Sequence, residues 1–162
     1  MKSVFLLAAA ALSSLVNSSL VQDDGTVRDA AGTLCASNDR NQLRMRTCDA
    51  SDASQVFDKA HFEATGQIKN VVDLTCWWVP SIGDANNKNT NQRVWLIRCD
   101  TSSGRLDPNQ LIWSVDGAQI KNAYTDSVTA SHCLAFRNNG YPLKMKPCTH
   151  SKTFLGEIDG GN

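Results

Sequence analysis

Apolar and basic residues alternate along Leu43-Arg44-Met45-Arg46-Thr47-Cys48, which ends on a cysteine. The pattern returns as Leu143-Lys144-Met145-Lys146-Pro147-Cys148, and a looser copy, Val94-Trp95-Leu96-Ile97-Arg98-Cys99, lies between them. A period of two predicts strands, with Leu43 and Met45 on one face and Arg44 and Arg46 on the other. Three copies roughly 50 residues apart make the chain a repeat protein.

Other features recur in step with these strands. Each repeat opens on a glycine followed by a β-branched residue: Gly25-Thr26-Val27, Gly66-Gln67-Ile68 and Gly117-Ala118-Gln119-Ile120. Glycine supplies a tight turn, and the branched residue starts a strand pointing inward. An early cysteine follows in a second short strand, at Cys35, Cys76 and Cys133, and then a polar loop. That loop is short over 37–42 and 137–142, but long and asparagine-rich over 80–93. After the late cysteine comes a polar turn and an aromatic: Ser54-Gln55-Val56-Phe57, Asn109-Gln110-Leu111-Ile112-Trp113 and Lys152-Thr153-Phe154.

Four short strands per repeat, frequent turn signals and no helical period predict an all-β domain. Each unit has an apolar side that it cannot bury alone, so three should close around one threefold core, a β-trefoil. Val27, Ile68 and Ile120, with Phe57, Trp113 and Phe154, are the expected core layers.

The 162 residues suffice for one domain. Lys2, an apolar run from Val4 to Leu12 and small residues near Ser18 read as a secretory signal peptide over 1–18. The run is too short to span a bilayer, which takes about 20 residues. Residues 19–162 are then a secreted trefoil domain, expected to be a monomer. Sixteen cations balance sixteen anions over the whole chain, and the leader removes one cation, Lys2. A nearly neutral domain lacks the broad positive field that nucleic acid requires.

All six cysteines, Cys35, Cys48, Cys76, Cys99, Cys133 and Cys148, fall in the mature part. One early and one late cysteine per repeat make Cys35–Cys48, Cys76–Cys99 and Cys133–Cys148 the simplest pairing. Zinc competes for such residues, but no CxxC or HxxxH spacing occurs. His61, His132 and His150 are scattered, and no nucleophile elbow or phosphate-binding glycine loop is present. Neither an enzyme nor a cofactor is implied.

Taken together, the glycine-led strand, paired cysteines, V/L-x-L/M-x-x-Cys strand and Gln-x-Phe/Trp closure resemble the ricin B-type (R-type) lectin β-trefoil. The resemblance spans about Gly25 to Phe154 and implies carbohydrate binding, typically of galactose or a related sugar, in one shallow pocket per repeat at most. A binding pocket in that family has an aspartate two residues after the early cysteine. It has a glutamine and an aromatic four and two residues before the late one, and an Asn-Gln pair at the closing motif. Here the aspartate positions hold Ser37, Trp78 and Ala135. The glutamine and aromatic positions hold Arg44 and Arg46, Trp95 and Ile97, and Lys144 and Lys146; only Asn109-Gln110 survives intact.

Repeat 2 is therefore the expected sugar site, with Trp78, Asp84, Trp95, Asn109 and Gln110, and with Trp77, Asn86 and Asn87 close by. An aromatic face packs on the apolar face of a sugar ring while carboxylates and amides meet its hydroxyls. The bland reading gives one tryptophan to the core and both glutamines, Gln55 and Gln110, to the backbone. Arg44, Arg46, Lys144 and Lys146 suggest a face for anionic ligands, or simply a solvated strand surface. The rival to a lectin is a trefoil scaffold that has lost sugar binding and contacts a protein or surface instead.

Overall fold

The computed structural model describes residues 20–29, 31–80, 92–100, 106–117, 119–124 and 132–149. The alternating stretch of repeat 1 forms β2 (Gln42–Thr47), paired antiparallel with β1 (Leu34–Asp39) from Leu34 opposite Thr47 to Asp39 opposite Gln42. The polar loop expected over 37–42 is thus mostly strand. Only Arg40 and Asn41 make the turn, at φ 48° and 68°. Two consecutive positive φ values match the twist of the flanking strands, which lets a two-residue turn close the hairpin.

Repeat 2 contributes β3 (Thr75–Trp78), β4 (Trp95–Arg98) and β5 (Trp113–Asp116). Repeat 3 contributes β6 (Gln119–Asn122), β7 (His132–Ala135) and β8 (Lys144–Pro147). Two four-stranded sheets result, ordered β1-β2-β4-β3 and β5-β6-β7-β8. The expected opening strands of repeats 1 and 2 shrink to isolated bridges, Arg28 with Cys35 in the first, and Gln67 with Ile112, Lys69 with Cys76 and Asn70 with Phe57 in the second.

The threefold relation is written in the backbone. Leu43 N–H donates to Val94 O (3.3 Å), Val94 N–H to Leu143 O (3.0 Å) and Leu143 N–H to Leu43 O (2.8 Å). A second triplet runs in the opposite sense: Met45 to Tyr141 O (3.3 Å), Leu96 to Asn41 O (3.1 Å) and Met145 to Gln92 O (2.8 Å). Each late strand therefore satisfies its donors on the other repeats, and no repeat is complete alone.

Beneath these triplets lie Leu43, Val94, Leu143, Met45, Leu96 and Met145, all buried, as the two-residue period predicts. Val27, Ile68 and Ile120 form the next layer, with Phe57 and Trp113 beside them. Phe154 lies outside the described residues. Each fully buried side chain of this size contributes on the order of 1.5–3 kcal/mol.

The closing aromatics bind back to the opening glycines, Phe57 N–H to Gly25 O and Trp113 N–H to Gly66 O, both at 2.8 Å. The three disulfides join the expected partners, Cys35–Cys48, Cys76–Cys99 and Cys133–Cys148, one per repeat. Loops of 13, 23 and 15 residues each give roughly 3 kcal/mol by restricting the unfolded chain.

One short α-helix interrupts the otherwise all-β chain among the described residues. Helix α1 (Lys59–Thr65) sits between repeats 1 and 2. The Asp58 carboxylate caps its start by accepting from His61 N–H, and Gly66 ends it at φ 75°. The helix buries no residue fully, and only Phe62 leans on the core. Its caps were visible in the sequence, but an apolar period was not.

Candidate functional site

The hairpin β3–β4 places Trp78 directly opposite Trp95. The equivalent pairs are Ser37 opposite Arg44 in repeat 1 and Ala135 opposite Lys144 in repeat 3. Cross-strand partners share a face with their Cβ atoms about 5 Å apart. Both tryptophans are half-buried. The Trp78 indole N–H has no hydrogen-bond partner among the described residues.

Trp77 leaves the expected cluster. Strand alternation turns it inward, fully buried, where its ring lies edge to face with Phe57 (centroids 5.2 Å) and Trp113 (5.9 Å). Ala36 and Leu134 are its equivalents and are buried likewise.

The amide of Gln110 is spent on the backbone. Its Nε2 donates to Val79 O (3.0 Å) and its Oε1 accepts from Asp107 N–H (3.2 Å), within a capping box. Gln55 repeats this in repeat 1, donating to Thr47 O (3.0 Å) and accepting from Asp49 N–H (3.0 Å). Buried and bonded in this way, Gln110 closes the repeat, as the structural reading of the glutamines expects. Val79 and Gln110 also bond through their backbones (Val79 N–H to Gln110 O, 3.1 Å), and Asn109, next to Gln110, is exposed. Asp84, Asn86 and Asn87 lie outside the described residues.

In repeat 1 the hydroxyls of Ser37 and Ser54 bond each other at 2.8 Å, where the family pattern has an aspartate and an asparagine. A cavity of about 470 Å³ opens there, walled by Asp39, Arg46, Asp49, Asp52 and Asn139 among others. Hydrogen bonds from the Ser51 hydroxyl and N–H hold the Asp49 carboxyl below the usual carboxylate range, so this wall is negative at neutral pH. These carboxylates were missed. Asp39 was open to detection, since it stands two positions beyond Ser37 and hence on the same strand face.

A second depression of about 460 Å³ shares Asp39 and Arg46 and is lined also by Arg40, Gln42 and Arg44. Arg46 Nη2 donates to Asp39 Oδ2 (2.6 Å), and Arg44 Nε stands 3.4 Å from the same oxygen. Arg44 also reaches Gly140 O (2.7 Å) and Gln42 Oε1 (3.2 Å). The basic face of β2 is therefore fixed rather than freely solvated. Lys144 and Lys146 hold the equivalent places on β8, half-buried.

Comparison with known proteins bears on the fold. No family model matches the sequence, and no curated protein matches it. Among solved structures, the agglutinin from Abrus precatorius superposes with a TM-score of 0.55 at 13% identity, over 83% of this chain and 52% of that one. This chain thus spans about half the length of that neighbour. With three repeats, a disulfide in each and one shared core, the chain has a ricin B-like β-trefoil fold.

Proposed function

We propose that the protein is a secreted carbohydrate-binding module whose site lies on the outer face of β3–β4. The observation that carries this reading is the direct pairing of Trp78 with Trp95, both half-buried, at the family's pocket positions. Two large aromatics on an outward strand face cost solubility unless something packs on them. The exposed Asn109, which opens the closing motif of the same repeat, offers an amide to ring hydroxyls. The structural neighbour is an agglutinin, which agrees with a sugar ligand. Three disulfides suit an oxidising, extracellular setting, as does the leader-like stretch over 1–18.

A glycan array probed with the mature protein tests this. Trp78→Ala and Trp95→Ala should each weaken binding to the selected sugar by about tenfold or more while near-UV circular dichroism stays native. Silence on the array from the folded protein would overturn the lectin reading in favour of a scaffold that contacts a protein or surface.

A further inference from the structure

Gln42 pairs with Trp95 across the β2–β4 seam, and Leu96 N–H donates to Asn41 O (3.1 Å). The tip of the repeat 1 hairpin is therefore stitched to the tryptophan strand of repeat 2. The depression lined by Asp39, Arg40, Gln42, Arg44 and Arg46 meets this seam at Gln42, the residue paired with Trp95. The seam joins Arg44 and Arg46, which hold the pocket positions of repeat 1, to Trp95, which holds one of repeat 2.

Its charge is one-sided, with three guanidinium groups facing a single carboxylate. That carboxylate, on Asp39, is shared between Arg44 and Arg46. Among the described residues Arg46 makes one hydrogen bond, and 43% of its side chain is exposed, which leaves further donors of its five facing solvent. Arg44 is held at Gly140 O and Gln42 Oε1, which fixes the plane of its guanidinium before any ligand arrives. Ordering a long side chain in advance removes a cost that binding would otherwise carry. Asp49 and Asp52 line the neighbouring cavity, which shares Asp39 and Arg46, and repel anions there.

We propose that this seam binds the anionic group, carboxylate or sulfate, of an acidic sugar whose neighbouring ring rests on Trp95. Planar guanidinium matches both oxyanions through paired hydrogen bonds. The inference rests on the reading of Trp78 and Trp95 as the sugar platform, and adds a ligand class and a second subsite.

Calorimetric titration with a uronic acid oligosaccharide, a sulfated one and a neutral one of equal length tests it. The titrations are run at about 20 mM and about 150 mM salt. Arg40→Gln and Arg44→Gln should each weaken the acidic sugars about tenfold and leave the neutral sugar unchanged, while Trp95→Ala weakens all three. Arg40 is exposed, so its variant keeps the test valid if Arg44→Gln unfolds. The preferred acidic sugar identifies the oxyanion as carboxylate or sulfate. Neutral binding with no gain for either acid would overturn the seam and spare the platform. Acidic binding weakened equally by Lys59→Gln, on α1, would reduce the effect to diffuse charge and overturn the seam. An acidic ligand untouched by Trp95→Ala would overturn the shared site. No binding to any sugar would overturn both readings.

Discussion

The indole N–H of Trp113 donates to the carbonyl oxygen of Trp77 at 3.1 Å, with the two rings edge to face. This contact ties the closing strand of repeat 2 to its hairpin in the middle of the core, where both residues are all but inaccessible. The reverse is not satisfied. The Trp77 indole N–H is buried with no partner among the described residues.

The same chemical change at these two positions should therefore have unequal effects. Trp→Phe removes similar apolar area at either site. At Trp113 it also removes a satisfied donor, whereas at Trp77 it removes a buried N–H that lacks an acceptor. Trp113→Phe is expected to destabilise by about 1–2 kcal/mol more than Trp77→Phe. Urea unfolding of both variants measures the difference, and equal losses would show that the Trp77 N–H is satisfied.

Much of the fold was legible because it is a period of two and a repeat. Leu43, Met45, Val94, Leu96, Leu143 and Met145 declare their faces by alternation, and the same repeats pair the cysteines. The inward turn of Trp77 was legible too, since Ala36, Trp77 and Leu134 are apolar at one position of every repeat. Other features escaped because they depend on three dimensions. The Arg40-Asn41 turn lacks the usual glycine. Gln110 looks misplaced, three residues before its aromatic instead of two. The 3₁₀ turn Pro108–Leu111 is one residue longer than Ala53–Gln55, and this extra residue, Leu111, goes into the interior. The surroundings of β2 were only partly legible, because the neighbours it gains at Trp95 and Gly140 lie in the other repeats.

Asp73 links repeat 1 to repeat 2, accepting from Asn38 Nδ2 (3.0 Å) and from the N–H (2.9 Å) and hydroxyl (2.7 Å) of Thr75. Burial alone pushes its carboxyl up. The bonds from the Thr75 hydroxyl and N–H, then from Asn38, outweigh it and leave the group below its ordinary value. A folded-state value lower than the unfolded one contributes stability that is present above about pH 4 and is lost as pH falls through the folded value. Asp73→Asn should thus destabilise the protein at pH 7, with the gap to wild type closing below about pH 4. Denaturant midpoints measured along that range test it, and a gap independent of pH would assign the effect to geometry alone.

Gly25 and Gly32 share a positive φ, 79° and 69°, yet differ in what surrounds them. A Cβ on Gly25 would stand 2.8 Å from Val56 Cγ1 and 2.9 Å from the Phe57 carbonyl oxygen, whereas on Gly32 it meets no described atom within 4 Å. Both alanine variants carry the left-handed backbone penalty of about 1–2 kcal/mol. Gly25→Ala must also move the Phe57 backbone, whose N–H donates to Gly25 O and closes repeat 1. Backbone gives way less readily than a side chain, so overpacking adds on the order of 1–3 kcal/mol at Gly25 only. Thermal and urea unfolding should place Gly32→Ala near its backbone penalty and Gly25→Ala at about twice that loss. Equal losses would mean that the repeat closure yields without cost, and that the opening glycine is kept for its turn alone.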